Sequence, residues 1–516
     1  MNEVTVTFHG AAGTVTGSCF EIQGANKTII VDCGMFQGTR SLEKLNYEKL
    51  PFDARDIDAV ILTHAHLDHS GRLPCLYING CSAPTYCTKP TADILKPLLQ
   101  DSAKLQAASV ERRNRRADRA GLTPFEPLYT GPDITALFKH IQAVDYCEEI
   151  DLGNGVSFRF WDARHIVGSA SIEINIAGQR ILVSGDIGTG APIYCADQML
   201  GGYDHVICES TYGDRDREDM LISERREELA AFVEDTVKAG GNLLIPAFAV
   251  ERTQAILEDF AALFDSGRLS PVNVFLDAPL AQKITRTILR YRNSGLDIMN
   301  RTNIRFIQSV EESKKLNRMT GMVIIAGSGM CEGGRIRHHL IRNLPNRHSR
   351  LLFTGFQVAG TLGSVLRDGA KAVRISGNDV LVNAEIANLD GYSNHADRKG
   401  LLQWTKDRGP VSGTIFLVHG EEKSLRSFAD GLAESGSYPA AIIPALGEKW
   451  GLQAATLANE LSSPRADARR LVAPRDWISQ LAELRASVDQ KIHTLKSDKD
   501  REKLLRGLRR ALESVG

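Results

Sequence analysis

Thr63-His64-Ala65-His66-Leu67-Asp68-His69 is the stretch on which the reading of this chain turns. It follows Ala59-Val60-Ile61-Leu62, a brief apolar run rich in β-branched residues, which predicts a buried strand. The histidines therefore fall at a strand's C-terminal end, where open α/β sheets build their sites. Three imidazoles and a carboxylate so close together are the donor set of a transition metal, zinc first. Extended backbone would put His64 and His66 on one side. A turn after them would let Asp68 and His69 address a second metal position. One histidine here would be an ordinary loop residue; four donors this dense are not.

The rest of the composition narrows the class. A chain of 516 residues is too long for one ordinary core, so two or three domains are expected. Hydrophobic residues make up 43% and charged residues 24%, as in a soluble globular protein. No apolar run approaches the roughly 20 residues that span a bilayer, so no membrane partner is expected. The N-terminus, Met1 to Val6, reads as a first strand and not as a signal peptide. Nine scattered cysteines without a CxxC pair fit reduced thiols and a cytoplasmic location. The net charge of −1 excludes a polycation, so nucleic-acid binding would need a local basic surface.

Further chemistry-bearing residues recur at strand ends. Thr28-Ile29-Ile30-Val31 runs into Asp32, which is either a turn residue before Gly34 or a hydrogen-bond partner for a ligand histidine. Val156 to Trp161 alternates as a strand and leads to His165. Ile172–Ile176 and Arg180–Val183 predict a hairpin around Gly178, ending in Asp186. Val206-Ile207-Cys208 ends in Glu209, and Thr414 to Val418 ends in His419. His395 sits in a polar loop before a helix. His338 and His339, among basic neighbours, read as surface residues.

Between about 209 and 385, strands alternate with helices, which predicts a parallel α/β unit. This insert carries two glycine-rich turns, 327–335 and 355–363, whose backbone N–H groups could face an anion or simply close tight loops. Ser328, Arg335 and Arg252 are its candidate phosphate contacts. A helix from about Thr91 to Ala120 bears Arg112, Arg113, Arg115, Arg116 and Arg119, either a phosphate-facing patch or a solvated face. Beyond about Pro464, Trp477, Leu481, Leu484, Val488, Ile492 and Leu495 recur at helical spacing. Ser497 would cap a second helix carrying Leu504 to Leu512. Such a hairpin either packs on its own chain or forms a dimer contact.

The order Asp32, HxHxDH at 64–69, His165, Asp186, Glu209, a large α/β insert, His395 and His419 resembles the β-CASP group of metallo-β-lactamase RNA-processing nucleases. The resemblance covers roughly residues 1–450. It implies an α/β fold: an αββα metallo-β-lactamase sandwich in two parts (1–208 and 386–455) and a β-CASP insert (209–385); the C-terminal helical extension (456–516) is not explained by it and rests on the helical spacing alone. The resemblance implies two zinc ions per chain, with manganese or iron as possible replacements. One would take His64, His66, His165 and Asp186. The other would take Asp68, His69, Asp186 and His419, with Asp186 bridging and Asp32 holding a ligand. The implied reaction is hydrolysis of RNA phosphodiester bonds, endo or 5′ exo, by a metal-bound hydroxide near Asp68. His395, paired with Glu209, would protonate the leaving oxygen. A histidine at position 419 is similar to the RNA-processing members and favours single-stranded RNA as partner. The C-terminal helices suggest a homodimer. Two other functions fit the same residues: a binuclear-zinc hydrolase of a small substrate, or a non-catalytic RNA-binding subunit. Filled ligand positions argue against the second, the insert and the Glu209–His395 pair against the first.

Overall fold

A computed structural model describes residues 3–118, 124–189, 201–217, 220–292, 298–358, 360–436, 438, 441–471, 488, 491–492, 494–495 and 497–513. Two mixed sheets face each other. The first has, in spatial order, strands Asn459–Ser462, Lys449–Leu452, Val4–Phe8, Phe20–Gly24, Lys27–Val31, Ala59–Ile61, Thr85–Thr88 and Ile141–Val144. The second has Ala441–Ile442, Ile415–Val418, His205–Glu209, Gln179–Val183, Ala170–Ile176, Val156–Asp162 and Glu149–Gly153. Alternate residues from both sheets, among them Val6, Phe8, Ile22, Ile29, Phe158, Ile172, Ile174 and Phe416, fill the space between them. Helices Leu73–Ile78 and Lys89–Asp118 cover the outer face of the first sheet. Helices Arg398–Asp407 and Glu422–Glu434 cover that of the second. The result is the expected αββα sandwich.

The insert has its own sheet, with strands Ile304–Phe306, Val274–Leu276, Val323–Ala326, Leu243–Pro246, Arg350–Phe353 and Glu385–Asn388, all parallel. The inner strands are short, apolar and mostly buried on both faces, as a parallel sheet under helices requires, while the edge strands Ile304–Phe306 and Glu385–Asn388 are partly exposed. Their C-terminal ends carry Phe248, Asp277, the 327–335 turn and Gly355-Phe356, so one end of the sheet collects the candidate binding residues. The insert is fastened to the first domain by an apolar seam. Val250, Ile284 and Ile288 join Ile94, Leu95 and Leu98 in one cluster, and the Tyr291 hydroxyl donates to Asp93 at 2.8 Å.

Two expectations need correction. His339 is buried, with Nε2 2.7 Å from Asp277 Oδ2; the local run of basic residues hid a histidine that lies on the inner face of helix Ile336–Asn343. The strand before the histidine run stops at Ile61, so His64 and His66 sit on a loop instead of extended strand. The cause is local: the Thr63 N–H donates to Asp32 Oδ1 at 2.8 Å instead of to a neighbouring strand. The cysteines Cys19, Cys33, Cys75, Cys81, Cys87, Cys208 and Cys331 are free and buried.

The basic side chains of Arg112, Arg113, Arg116 and Arg119 lie outside the described residues, as does most of the first C-terminal helix, including Trp477, Leu481 and Leu484. The second C-terminal helix is present as Asp498–Glu513, and Ser497 Oγ accepts the Asp500 N–H at 3.1 Å. Residues 465–471 belong to the body: Ala468 and Leu471 are buried with Phe36, Leu42, Leu45 and Leu446, and Arg465 pairs with Glu48. Among the described residues, no helix is long and apolar enough to cross a membrane.

Candidate metal centre

His64, His165, Asp186 and His419 lie just past strands of the sandwich, Asp68 and His69 lie on the short helix Leu67–Ser70, and His395 follows the last strand of the insert sheet. Three groups of donors form: His64, His66, His165 and Asp186; Asp68, His69 and His419; and Asp186, Glu209 and His395. In the first, His64 Nε2 and His165 Nε2 lie 3.1 and 3.3 Å from His66 Nδ1. The same two atoms lie 3.5 and 3.4 Å from Asp186 Oδ2. In the second, His419 Nε2 is 3.2 Å from His69 Nε2 and 3.5 Å from Asp68 Oδ2. Asp186 Oδ1 faces this group, 3.2 Å from His69 Nε2, and has no hydrogen-bond partner although buried.

These distances test whether a metal fits. Ligand atoms at the corners of a tetrahedron stand apart by about 1.6 times the bond length, or about 3.3–3.4 Å for bonds of about 2.0–2.1 Å. The observed separations scatter around that value. The two carboxylate oxygens of Asp186 each face one group, which is the geometry of a bridging ligand. Burial depresses the basicity of His64 and His165 strongly and pushes that of His66 down to about 4. Three neutral imidazoles are what a cation needs, because only the unprotonated nitrogen can bind it. Burial also opposes ionisation of Asp186, but His419 and His69 outweigh it and hold the carboxylate well below the usual range. The residues present therefore fit a pair of metal ions.

A further layer aims these donors. Asp32 Oδ2 lies 2.7 Å from His69 Nδ1, while the Thr63 hydroxyl donates to the same carboxylate at 2.8 Å. Asp32 is thus a partner to a candidate ligand and not merely a turn residue. Thr211 Oγ1 lies 3.1 Å from His419 Nδ1, a contact that no local pattern in the sequence announces. Glu209 is buried and anchored by the N–H groups of Ile187 and Thr211, at 2.8 and 3.0 Å. Its Oε1 lies 3.0 Å from His395 Nδ1, which turns His395 Nε2 toward the centre, 3.8 Å from Asp186 Oδ2. His395 keeps 15% of its side chain exposed, more than His64, His69, His165 or His419.

The insert's candidates separate. Arg335 donates to Asp277 Oδ1 at 2.5 Å, beside the His339 contact, so its charge is already countered. Ser328 Oγ accepts the Gly333 N–H, and the Ser328 and Cys331 N–H groups bond within the same turn. Arg252 differs. Its guanidinium lies over the Phe248 ring at 5.0 Å, its Nε is buried without a partner, and Phe248 is 6.5 Å from the His66 ring.

Comparison with known proteins agrees with this layout. The metallo-β-lactamase superfamily matches residues 12–221, the Beta-Casp domain 253–366, and the Zn-dependent metallo-hydrolase RNA specificity domain 379–444. The chain is 35% identical over 441 residues to Ribonuclease TTHA0252 of Thermus thermophilus, covering 83% of this chain and 95% of that one. It is 30% identical to an RNase J-like protein of Methanocaldococcus jannaschii, covering 83% and 94%. It is also 30% identical to Transcription termination factor FttA of the same organism, covering 83% and 68%. An aspartate that faces two histidine groups, a histidine paired with Glu209 beside them and a parallel α/β insert thus accompany relatives matched over 95% and 94% of their own length, and the chain belongs to the β-CASP group of metallo-β-lactamase RNA nucleases.

Proposed function

We infer that this enzyme hydrolyses phosphodiester bonds of single-stranded RNA with two zinc ions. The observation that carries this reading is Asp186, whose two oxygens each face a separate donor group beside the independently anchored Glu209–His395 pair. His64, His66, His165 and Asp186 would hold one ion, and Asp68, His69, Asp186 and His419 the other. Bound there, the ions would stabilise charge on the phosphoryl group and lower the pKa of a water between them. His395 Nε2 faces the site while Glu209 holds Nδ1, so His395 is placed to give a proton to the leaving oxygen. Asp32 and Thr211 fix the rings of His69 and His419. Arg252 is the insert residue best placed for a phosphate, because its charge is uncommitted. Ser328 and Arg335 would have to break internal contacts first.

The test is purified protein on RNA labelled separately at each end, with and without chelator. Cleavage that disappears with chelator and returns with zinc is expected. Cleavage that survives metal removal would overturn the reading. Single-stranded RNA should be cut faster than duplex DNA, and binding should weaken with salt, because affinity rests on local charge in a chain of net charge −1.

Assembly is a separate proposal. The Asp498–Glu513 helix carries Leu504 and Leu508 half-buried and Leu505 46% exposed, an apolar face only partly covered by its own chain. A homodimer through this extension is expected. Because residues 465–471 pack into the body, the informative deletion removes 472–516. Light scattering should then show monomer in place of dimer; an unchanged mass would assign the extension to its own chain.

A further inference from the structure

Two arginines meet above the metal centre, and neither has a carboxylate partner among the described residues. Arg252 stands on the insert, with its guanidinium 5.0 Å from the Phe248 ring. Arg217 comes from the segment after Glu209, with its guanidinium 5.0 Å from the Tyr212 ring. Phe248 borders His66 at 6.5 Å and Tyr212 borders His395 at 6.1 Å, so both cations stand on rings that border the site. Arg217 is half committed: it donates to the Ser393 carbonyl at 2.9 Å and to the His395 carbonyl. Arg252 makes no side-chain hydrogen bond or ion pair to a described residue, and its buried Nε is an orphan donor.

Most other arginines of the insert region are paired. Arg225 and Arg226 share Asp259, Arg335 takes Asp277, and Arg350 takes Glu385. Against that background an unpaired, largely buried guanidinium is costly. Burial lowers the basicity of Arg252, Tyr212 partly opposes this, and the charge of Arg217 adds to it. The two cations are linked through Gly355-Phe356, since the Phe356 ring lies 5.9 Å from the Tyr212 ring that carries Arg217. The surrounding backbone is shaped to keep Arg252 in place. A Cβ on Gly355 would stand 2.6 Å from its Cζ and Nη2, and one on Gly329 would stand 2.6 Å from the Phe248 ring. Both glycine-rich turns of the insert thus press against the Phe248–Arg252 stack. This explains their composition better than anion binding by their own N–H groups, several of which are spent inside the turn.

We propose that Arg217 and Arg252 form a subsite for one backbone phosphate of the RNA strand, the phosphate next to the one that is cleaved. This rests on the nuclease reading above and adds a second contact point to it. A planar guanidinium with free N–H groups matches phosphate oxygens, and two of them facing one space favour an anion over any neutral group. The half-buried Phe248 and Phe356 rings beside them offer faces on which flanking bases stack without regard to sequence. Arg217 couples this subsite to the chemistry, since the same guanidinium holds the His395 carbonyl.

The test uses the zinc-loaded enzyme and short RNAs in which one phosphate at a time, never the scissile one, is replaced by a neutral methylphosphonate. A neutral linkage adjacent to the cut should lower kcat/KM by about 10- to 100-fold, the scale of a lost charged hydrogen bond, while more distant ones cost less. Arg252→Gln should lower kcat/KM on all-phosphate RNA by the same factor and add nothing further on the RNA neutral at that position. Gly355→Ala, which displaces the guanidinium without removing its charge, should move in the same direction. Equal rates on every neutral-linkage RNA would overturn the subsite, as would effects of Arg252→Gln and the neutral linkage that multiply. Failure of the unmodified enzyme to cut all-phosphate RNA would instead overturn the nuclease reading itself.

Discussion

Asp186→Ala is expected to remove both metal equivalents and to abolish RNA cleavage, the largest effect of any single substitution in this chain. Its Oδ2 faces His64 and His165 at 3.5 and 3.4 Å, and its Oδ1 faces His69 at 3.2 Å. No other described carboxylate touches both groups, so one change breaks two sites. Each ion is worth several kcal/mol of transition-state charge stabilisation, which puts the combined loss beyond about 10⁴-fold. Asp32→Ala provides the graded comparison. Of the candidate ligands Asp32 bonds only His69, at its far nitrogen, and a partner of that kind costs about 10–100-fold in metal affinity or activity. Elemental analysis and single-turnover cleavage of both variants check this. Retention of one full metal equivalent by Asp186→Ala would mean that the ions do not share this carboxylate.

The ligand set was legible because of where its members sit along the chain. Ile61, Asp162, Val183 and Val418 each end a strand, and His64, His165, Asp186 and His419 follow within three residues. Apolar runs bounded by turn residues mark such ends directly, and parallel neighbours carry their ends to one edge. The second layer was only partly legible. Asp32 could be suspected from its place at a strand end, but Thr211 meets His419 across 208 positions with no local pattern to announce it. The same holds for the charges of the insert. Arg335 looks free in sequence and is not, because Asp277 reaches it from 58 residues away. Arg217 looks like one more charge in an acidic stretch, and only the fold sets it against Ser393, His395 and Arg252. Spacing reports which face of an element a residue occupies. It does not report which distant charge has already claimed it.

His395→Ala is the second large effect, and it separates binding from chemistry. His395 Nδ1 is committed to Glu209, and Nε2 stands 3.8 Å from Asp186, farther than the nitrogens of His64, His165 or His69. It is thus placed at the rim of the centre, partly open to solvent, where a leaving oxygen would pass. Loss of its imidazole should leave two metals bound and RNA affinity intact, while cleavage falls by roughly 10²–10⁴-fold, the range of general acid catalysis. Glu209→Gln should cost less, because the ring remains but loses the carboxylate that aims it. His419→Ala must behave otherwise, since His419 Nε2 lies among the donors of the second group, 3.2 Å from His69 and 3.5 Å from Asp68. It should weaken one metal site as well as the rate. Zinc content measured beside single-turnover cleavage resolves the three. A zinc lost from His395→Ala would make His395 a ligand, and the proton would then have to come from another group.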